Sequence, residues 1–257
     1  MPNIRIGYVN RWTTGTLTAS TAATGLPAEA SQNPDRSYVW RSTASTGAAT
    51  LDIDLGAASR PTMVAVANVK LVGTGVLRLN QRGISGSPGS ATLVATLPTQ
   101  NTETSTAVVF LQVDPADSFR HWQLEWTNPS ATSDYAELGF AFLGTYFEPT
   151  LNIKSGWESE RPDPSVERVS LGRQKQFAVR PKYFRGSFVW DALKTTDFDT
   201  LSSVWHTVGR TTPVVLSVDA ENAAWSTWFA RLVEAPRRQH RLASRRHGYT
   251  LSWEEVL

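Results

Sequence analysis

The chain has 257 residues, 40% hydrophobic and 19% charged, enough for one large globular domain or two ordinary ones. It holds no cysteine, which excludes disulfides, thiolate metal sites and cysteine nucleophiles, and its net charge of +2 is too slight to imply a nucleic-acid partner. The opening MPNIRIGYVN lacks the apolar stretch of a secretory signal, and no window approaches the roughly 18 apolar residues of a membrane-spanning helix, so the expectation is synthesis in the cytoplasm without membrane insertion.

The first part of the chain reads as short strands with turn punctuation. Residues 16–20 alternate, and the polar turn Asn33-Pro34-Asp35 leads to Trp40, Arg41 and Ser42. A linker of small residues follows, and then the strand LDIDL at 51–55, which Gly56 is expected to stop. Its period of two puts Leu51, Ile53 and Leu55 on one face and Asp52 and Asp54 on the other. Residues 62–72 form a near-continuous apolar run, as a central sandwich strand would, and 75–79, 108–113, 121–126 and 138–147 complete the set. Short strands at this spacing, with no helical period, predict an all-β sandwich or barrel.

After Pro149 the texture changes. Residues 152–164, rich in Ser, Gly, Glu and Pro, read as a linker. Strands are expected at 167–171, 176–179, 182–190, 213–218, 225–235 and 248–257, with one helix over 196–208. That helix has Thr196 or Asp197 as its cap, Phe198, Leu201, Val204, Trp205 and Val208 as its apolar stripe, and Gly209 as its stop. The organisation predicted is therefore a β-sandwich over 1–149 and a smaller β domain with one helix over 150–257.

The order Asp35, Trp40, Ser42 and Ile53-Asp54-Leu55-Gly56 resembles the discoidin, or coagulation factor 5/8 type C, family, where a D-x-x-x-x-W-x-S run leads into an I-D-L-G strand. The likeness implies a galactose-binding-like jelly roll whose last strand, here LGFAFLGTYFE, returns beside the first. The second part resembles tail-tube-type β domains through KYFRGSFVW at 182–190, the 198–209 helix, TPVVL at 212–216, ARLVE at 230–234 and GYTLSWEE at 248–255. Together the two parts resemble minor structural proteins of tailed bacteriophages, nearest to the distal tail or tail tip. That resemblance implies a virion protein acting by ring-shaped homo-oligomer assembly and by docking tube, hub or tip proteins, with no turnover and no cofactor. The alternative is a carbohydrate-binding module that attaches the particle to host surface glycans.

Individual residues are weighed against plainer roles. His121, His206, His240 and His247 form no metal-ligand spacing, and no nucleophile elbow, phosphate loop or zinc signature occurs. Asp52 and Asp54 read as the solvated face of a strand, not as a glycosidase pair. Asn33 and Asp35 read as an Asx turn in the place where discoidin-like domains often hold calcium. Trp40, Trp122 and Trp126 lie in strand patterns and are expected to be buried. Trp12, in a polar turn after Asn10-Arg11, is expected to be exposed and is the candidate glycan contact. Trp157 in the linker, and Trp225 and Trp228, are candidate interface anchors. With them go the basic cluster Arg237, Arg238, Arg241, Arg245 and Arg246, expected in a hairpin at a subunit boundary.

Overall fold

A computed structural model describes residues 3–35, 37–43, 49–70, 76–83, 88–98, 106–111, 118–127, 135–170, 173–219, 226–235, 239–241 and 246–256. The strands are, in order, β1 (Arg5–Asn10), β2 (Thr16–Ala19), β3 (Trp40–Arg41), β4 (Ala49–Ser59), β5 (Met63–Ala67), β6 (Val76–Gln81), β7 (Thr92–Leu97), β8 (Thr106–Phe110), β9 (Phe119–Thr127), β10 (Glu137–Leu138) and β11 (Phe140–Phe147). They continue as β12 (Glu158–Glu160), β13 (Val166–Val169), β14 (Lys175–Ala178), β15 (Arg185–Leu193), the helix α1 (Thr195–Val208), β16 (Val214–Ser217), β17 (Thr227–Leu232), β18 (Gln239–Arg241) and β19 (Arg246–Glu255). The chain is mainly β with β-sandwich sheets, as its sequence pattern predicts.

Two compact units form, residues 1–148 with 214–229 and residues 149–213 with 230–257. In the first, a five-stranded sheet runs β2-β4-β9-β6-β7, and a second sheet includes β16-β1-β11-β5-β8. One core joins them: Leu17, Leu51, Ile53, Leu79 and Leu124 from the first sheet pack with Val64, Val66, Ala141 and Leu143 from the second. Trp12, Trp40, Trp122 and Trp126 belong to the same core, and Trp40 and Trp126 have ring centroids 5.0 Å apart. The last strand of the sandwich, β11, does pair antiparallel with β1.

Residues 214–229, assigned from sequence to the second half, lie in the first unit. The reason is register and burial. β16 pairs with β1, Arg5 opposite Ser217, and Val215 and Phe229 join Met63, Ala65, Phe140 and Phe142 in a second core cluster. β5 is buried on both faces, which is why it reads MVAVA without alternation. β5 is also shorter than the apolar run predicts, because Asn68 adopts φ +52° and ends it. Gly56 does not stop β4. At φ +73° it lies where the register with β9 shifts, and the strand continues to Ser59.

In the second unit, β15 pairs along its length with β19, and β12 pairs with β15 on the other side. β12 thus falls inside the stretch read as a linker. Phe188 stacks on Trp253 at 5.6 Å, Trp190 meets Tyr249 edge-on, and α1 buries Phe198, Leu201, Val204 and Val208, with the Tyr249 hydroxyl donating to the Leu201 carbonyl. Gly209 ends α1 at φ +56° as expected. Asp197 does not cap it. Lys194 occupies the cap without a side-chain bond, and Asp197, buried in the first turn, accepts hydrogen bonds from the amide and hydroxyl of Thr150 at 3.0 and 2.6 Å. β13 and β14 form a separate two-stranded sheet.

Candidate functional site

The polar face of the five-stranded sheet follows directly from strand alternation. With Leu51 and Ile53 turned into the core, Asp52 and Asp54 lie on the opposite face. Antiparallel register then sets cross-strand rows: Thr16 opposite Asp54 and Asp54 opposite His121, then Thr18–Asp52, Asp52–Gln123 and Gln123–Asn80. One face therefore gathers hydroxyls, carboxylates, amides and an imidazole from four strands.

These groups bind each other. Gln123 Nε2 donates to Asp52 Oδ1 at 3.0 Å, and Asn80 Nδ2 donates to Gln123 Oε1 at 3.1 Å and to Glu125 Oε2 at 2.8 Å. Arg82 reaches Asp52 at 2.5 Å. Arg120 forks onto Asp54 through Nε and a terminal nitrogen, 2.6 and 2.7 Å, and the Gly56 amide adds a bond at 2.8 Å. The expectation of merely solvated carboxylates is thus incomplete: both are half-buried and tied to arginines, and Asn80, His121 and Gln123 are buried outright.

Hydrogen bonds from Arg120, joined by the Gly56 amide and the guanidinium charge, hold the Asp54 carboxyl at about 2, below its ordinary 3.8, against a smaller opposing effect of burial. Asp54 is therefore an anion at neutral pH. A general acid for glycoside hydrolysis needs the opposite displacement.

Beside this network lies a recess of about 490 Å³, lined by Thr16, Thr18, Asp52, Asp54, Arg82 and His121 with Pro88 as an apolar contact, while the Ile53 side chain between the two carboxylates is turned into the core. Its chemistry is a set of fixed donors and acceptors with one proline as the apolar contact. Among the described residues, no cluster of three or more His, Asp or Glu is arranged to hold a metal ion. The Asn33–Asp35 loop is the expected Asx turn: the Asp35 amide donates to Asn33 Oδ1 at 2.9 Å, and Asp35 Oδ1 in turn accepts from Ser37.

Trp40, Trp122 and Trp126 are buried as expected, but Trp12 is not exposed. Asn10 Oδ1 accepts the Trp12 amide and so closes the turn, which sends the indole inward, where its Nε1 donates to the buried Ser31 hydroxyl at 3.1 Å. A fully buried ring offers no stacking face, so the glycan contact assigned to it is withdrawn. Trp228 is buried too, inside β17, and is not an exposed anchor. Trp157 is half-buried, edge-on to Phe188 at 5.7 Å. Trp225, Arg237, Arg238 and Arg245 lie outside the described residues. β18 pairs antiparallel with β19, with Arg241 opposite Arg246. Arg246 is half-buried, its guanidinium 3.5 Å from the Ala192 carbonyl.

Sequence reasoning put Asp52 and Asp54 on one strand face but gave them no role, and it missed Thr16, Thr18, Arg82 and His121 as their neighbours. The signal was the shared period of two in four separate strands, which becomes a site only once register is known.

No protein-family model matches the sequence, and no curated protein does. Solved structures show likeness over about half of the chain. A chitosan-binding module from the chitosanase/glucanase of Paenibacillus sp. IK-5 is 18% identical at TM-score 0.44, over 52% of this chain and 98% of that one. The lectin domain of lectinolysin, complexed with Lewis B antigen, is 15% identical at TM-score 0.41, over 54% and 98%. The family 32 CBM of C. perfringens NanJ, complexed with galactose, is 14% identical at TM-score 0.41, over 55% and 99%.

Proposed function

We propose that the first unit is a saccharide-binding sandwich and that it acts by binding, without turnover. The recess on the five-stranded sheet carries the reading. A pyranose ring offers alternating hydroxyl donors and acceptors around a C–H surface. Asp52, Asp54, Arg82, His121 and the two threonines supply the complementary polar groups, while Pro88 supplies the apolar contact. Groups already locked to one another lose little freedom when a ligand arrives.

Titration calorimetry of the full chain against neutral, amino and uronic oligosaccharides tests this. His121→Ala and Thr18→Val are expected to abolish a measurable heat while leaving the thermal melt within a few degrees of wild type. Undiminished binding by both variants, or no saccharide bound by the wild type, overturns the proposal.

A second reading is assembly: a ring-forming component of a phage tail, made in the host cytoplasm and docked to other tail proteins. One observation favours it, the hairpin β13–β14 of the second unit, in which every described residue is exposed, including Val169, Phe177 and Val179. Bare apolar groups on an exposed hairpin suit a protein that has partners. The readings are compatible, since a sandwich on an assembled particle would serve as its adhesion module. Imaging labelled particles tests the second, and absence of the protein from tails would end it.

A further inference from the structure

The hairpin β13–β14 forms a sheet of its own in which every described residue is exposed, and an isolated two-stranded hairpin is marginal in water. Its register, Glu167 opposite Phe177 and Val169 opposite Lys175, puts Val169 and Phe177 on one face, and the alternation extends to Val179. These three side chains are 59%, 61% and 84% exposed. Phe177 is the one exposed aromatic among the described residues of the second unit. The hairpin is also basic: residues 166–182 carry Arg168, Arg173, Lys175, Arg180 and Lys182 against the single acid Glu167.

The opposite chemistry lies elsewhere in the same unit. β12 ends its sheet in the strand order, and all three of its residues are exposed. Beside it is a recess of about 370 Å³ whose charged lining is Glu158, Glu160 and Glu254 against Arg185, with Val233 and Trp253 as apolar lining. The recess is acidic with an apolar patch, and the hairpin is basic with an apolar ridge. Since every described residue of 166–182 is exposed, a copy does not fill its own recess.

We infer that the hairpin of one copy docks into the recess beside β12 of a second copy, with Phe177 in the recess and the hairpin's cations facing Glu158 and Glu254. Such a contact joins two different surfaces head to tail, so it propagates around a ring or along a filament. Apolar burial supplies the attraction, and opposite charge fixes the register. The inference rests on the assembly reading, for which it names the partner and both surfaces.

Sedimentation velocity of the full chain over a range of concentrations is the first test. Wild type is expected to self-associate, more weakly at high salt, and Phe177→Asp to associate at least tenfold more weakly with an unchanged melt. Because the chain has no cysteine, a 1:1 mixture of the single variants Phe177→Cys and Val233→Cys provides a second test. Under mild oxidation it should give covalent heterodimers in excess of either homodimer. If Phe177→Asp associates like wild type, or the mixture gives no excess of heterodimer, the docking is wrong while assembly by another surface stands. If wild type stays monomeric throughout, both fall.

Discussion

The face of the five-stranded sheet and the hairpin β13–β14 are both solvent-facing β surfaces, yet they are built in opposite ways. On the sheet face, Asp52, Asp54, Asn80 and Gln123 are tied to neighbouring strands by bonds of 2.5–3.1 Å, and buried polar groups brace the charged ones. On the hairpin, the ion pair of Lys175 with Glu167 at 2.7 Å is exposed, and apolar side chains stand in water beside it. A surface whose polar groups are fixed in advance suits a small polar ligand, because little ordering remains to be done. A surface with bare apolar groups suits a macromolecular partner that can cover them.

The comparison predicts where damage will be felt. The sheet face is held in place by the core beneath it, and Trp40 is the test. Its ring is fully buried against Trp126, and its Nε1 donates to the Thr21 carbonyl at 3.1 Å. Trp40→Ala should cost about 3–5 kcal/mol, as removal of a large buried aromatic does. Denaturant unfolding measures it, and a loss under about 1 kcal/mol would show that the core does not carry the face. A smaller effect is expected from Asp197→Ala in the second unit. It strands the Thr150 amide and hydroxyl, at a cost of about 1–3 kcal/mol.

The face itself should break more gently, and with acid. The Asp54 carboxyl ionises more readily in the folded chain, at about 2, than the ordinary 3.8. Its contribution is therefore fully present at neutral pH and is lost as pH falls from about 4 through about 2. The pair is partly solvated, so Asp54→Asn is expected to cost about 1 kcal/mol or less at pH 7. The gap in urea midpoint between wild type and variant should narrow from pH 7 to pH 2.5. A constant gap across that range would show that Arg120 does not hold the carboxylate.

Strand alternation made the sandwich and its buried tryptophans legible, because LDIDL and HWQLEW declare their faces residue by residue. Pairing was less legible. Residues 214–229 read as part of the second half because sequence proximity says nothing of β16 joining β1 across some two hundred residues. Trp12 was misread for a local reason: a polar turn looks exposed until Asn10 is seen accepting the amide that turns the indole inward. The recess shares that difficulty, since its residues come from β2, β4, β9 and the end of β6. Only the hydrogen-bonded register brings Thr16, Asp54 and His121 into one row.

The smallest stability effect is predicted for the hairpin, and there its smallness is informative. Phe177 is 61% exposed, so replacing it with Ser removes little buried area in the isolated chain. The change in unfolding free energy should stay within about 0.5 kcal/mol, the usual range for surface substitutions. Read at a concentration where wild type is monomeric, a larger loss would mean that Phe177 supports its own fold, and the contrast between the two surfaces would fail. Read again at high concentration, wild type should gain apparent stability by mass action as copies associate, while Phe177→Ser should not. The same substitution is then silent in the monomer and costly in the assembly, a pattern that an ordinary core residue such as Trp40 does not produce.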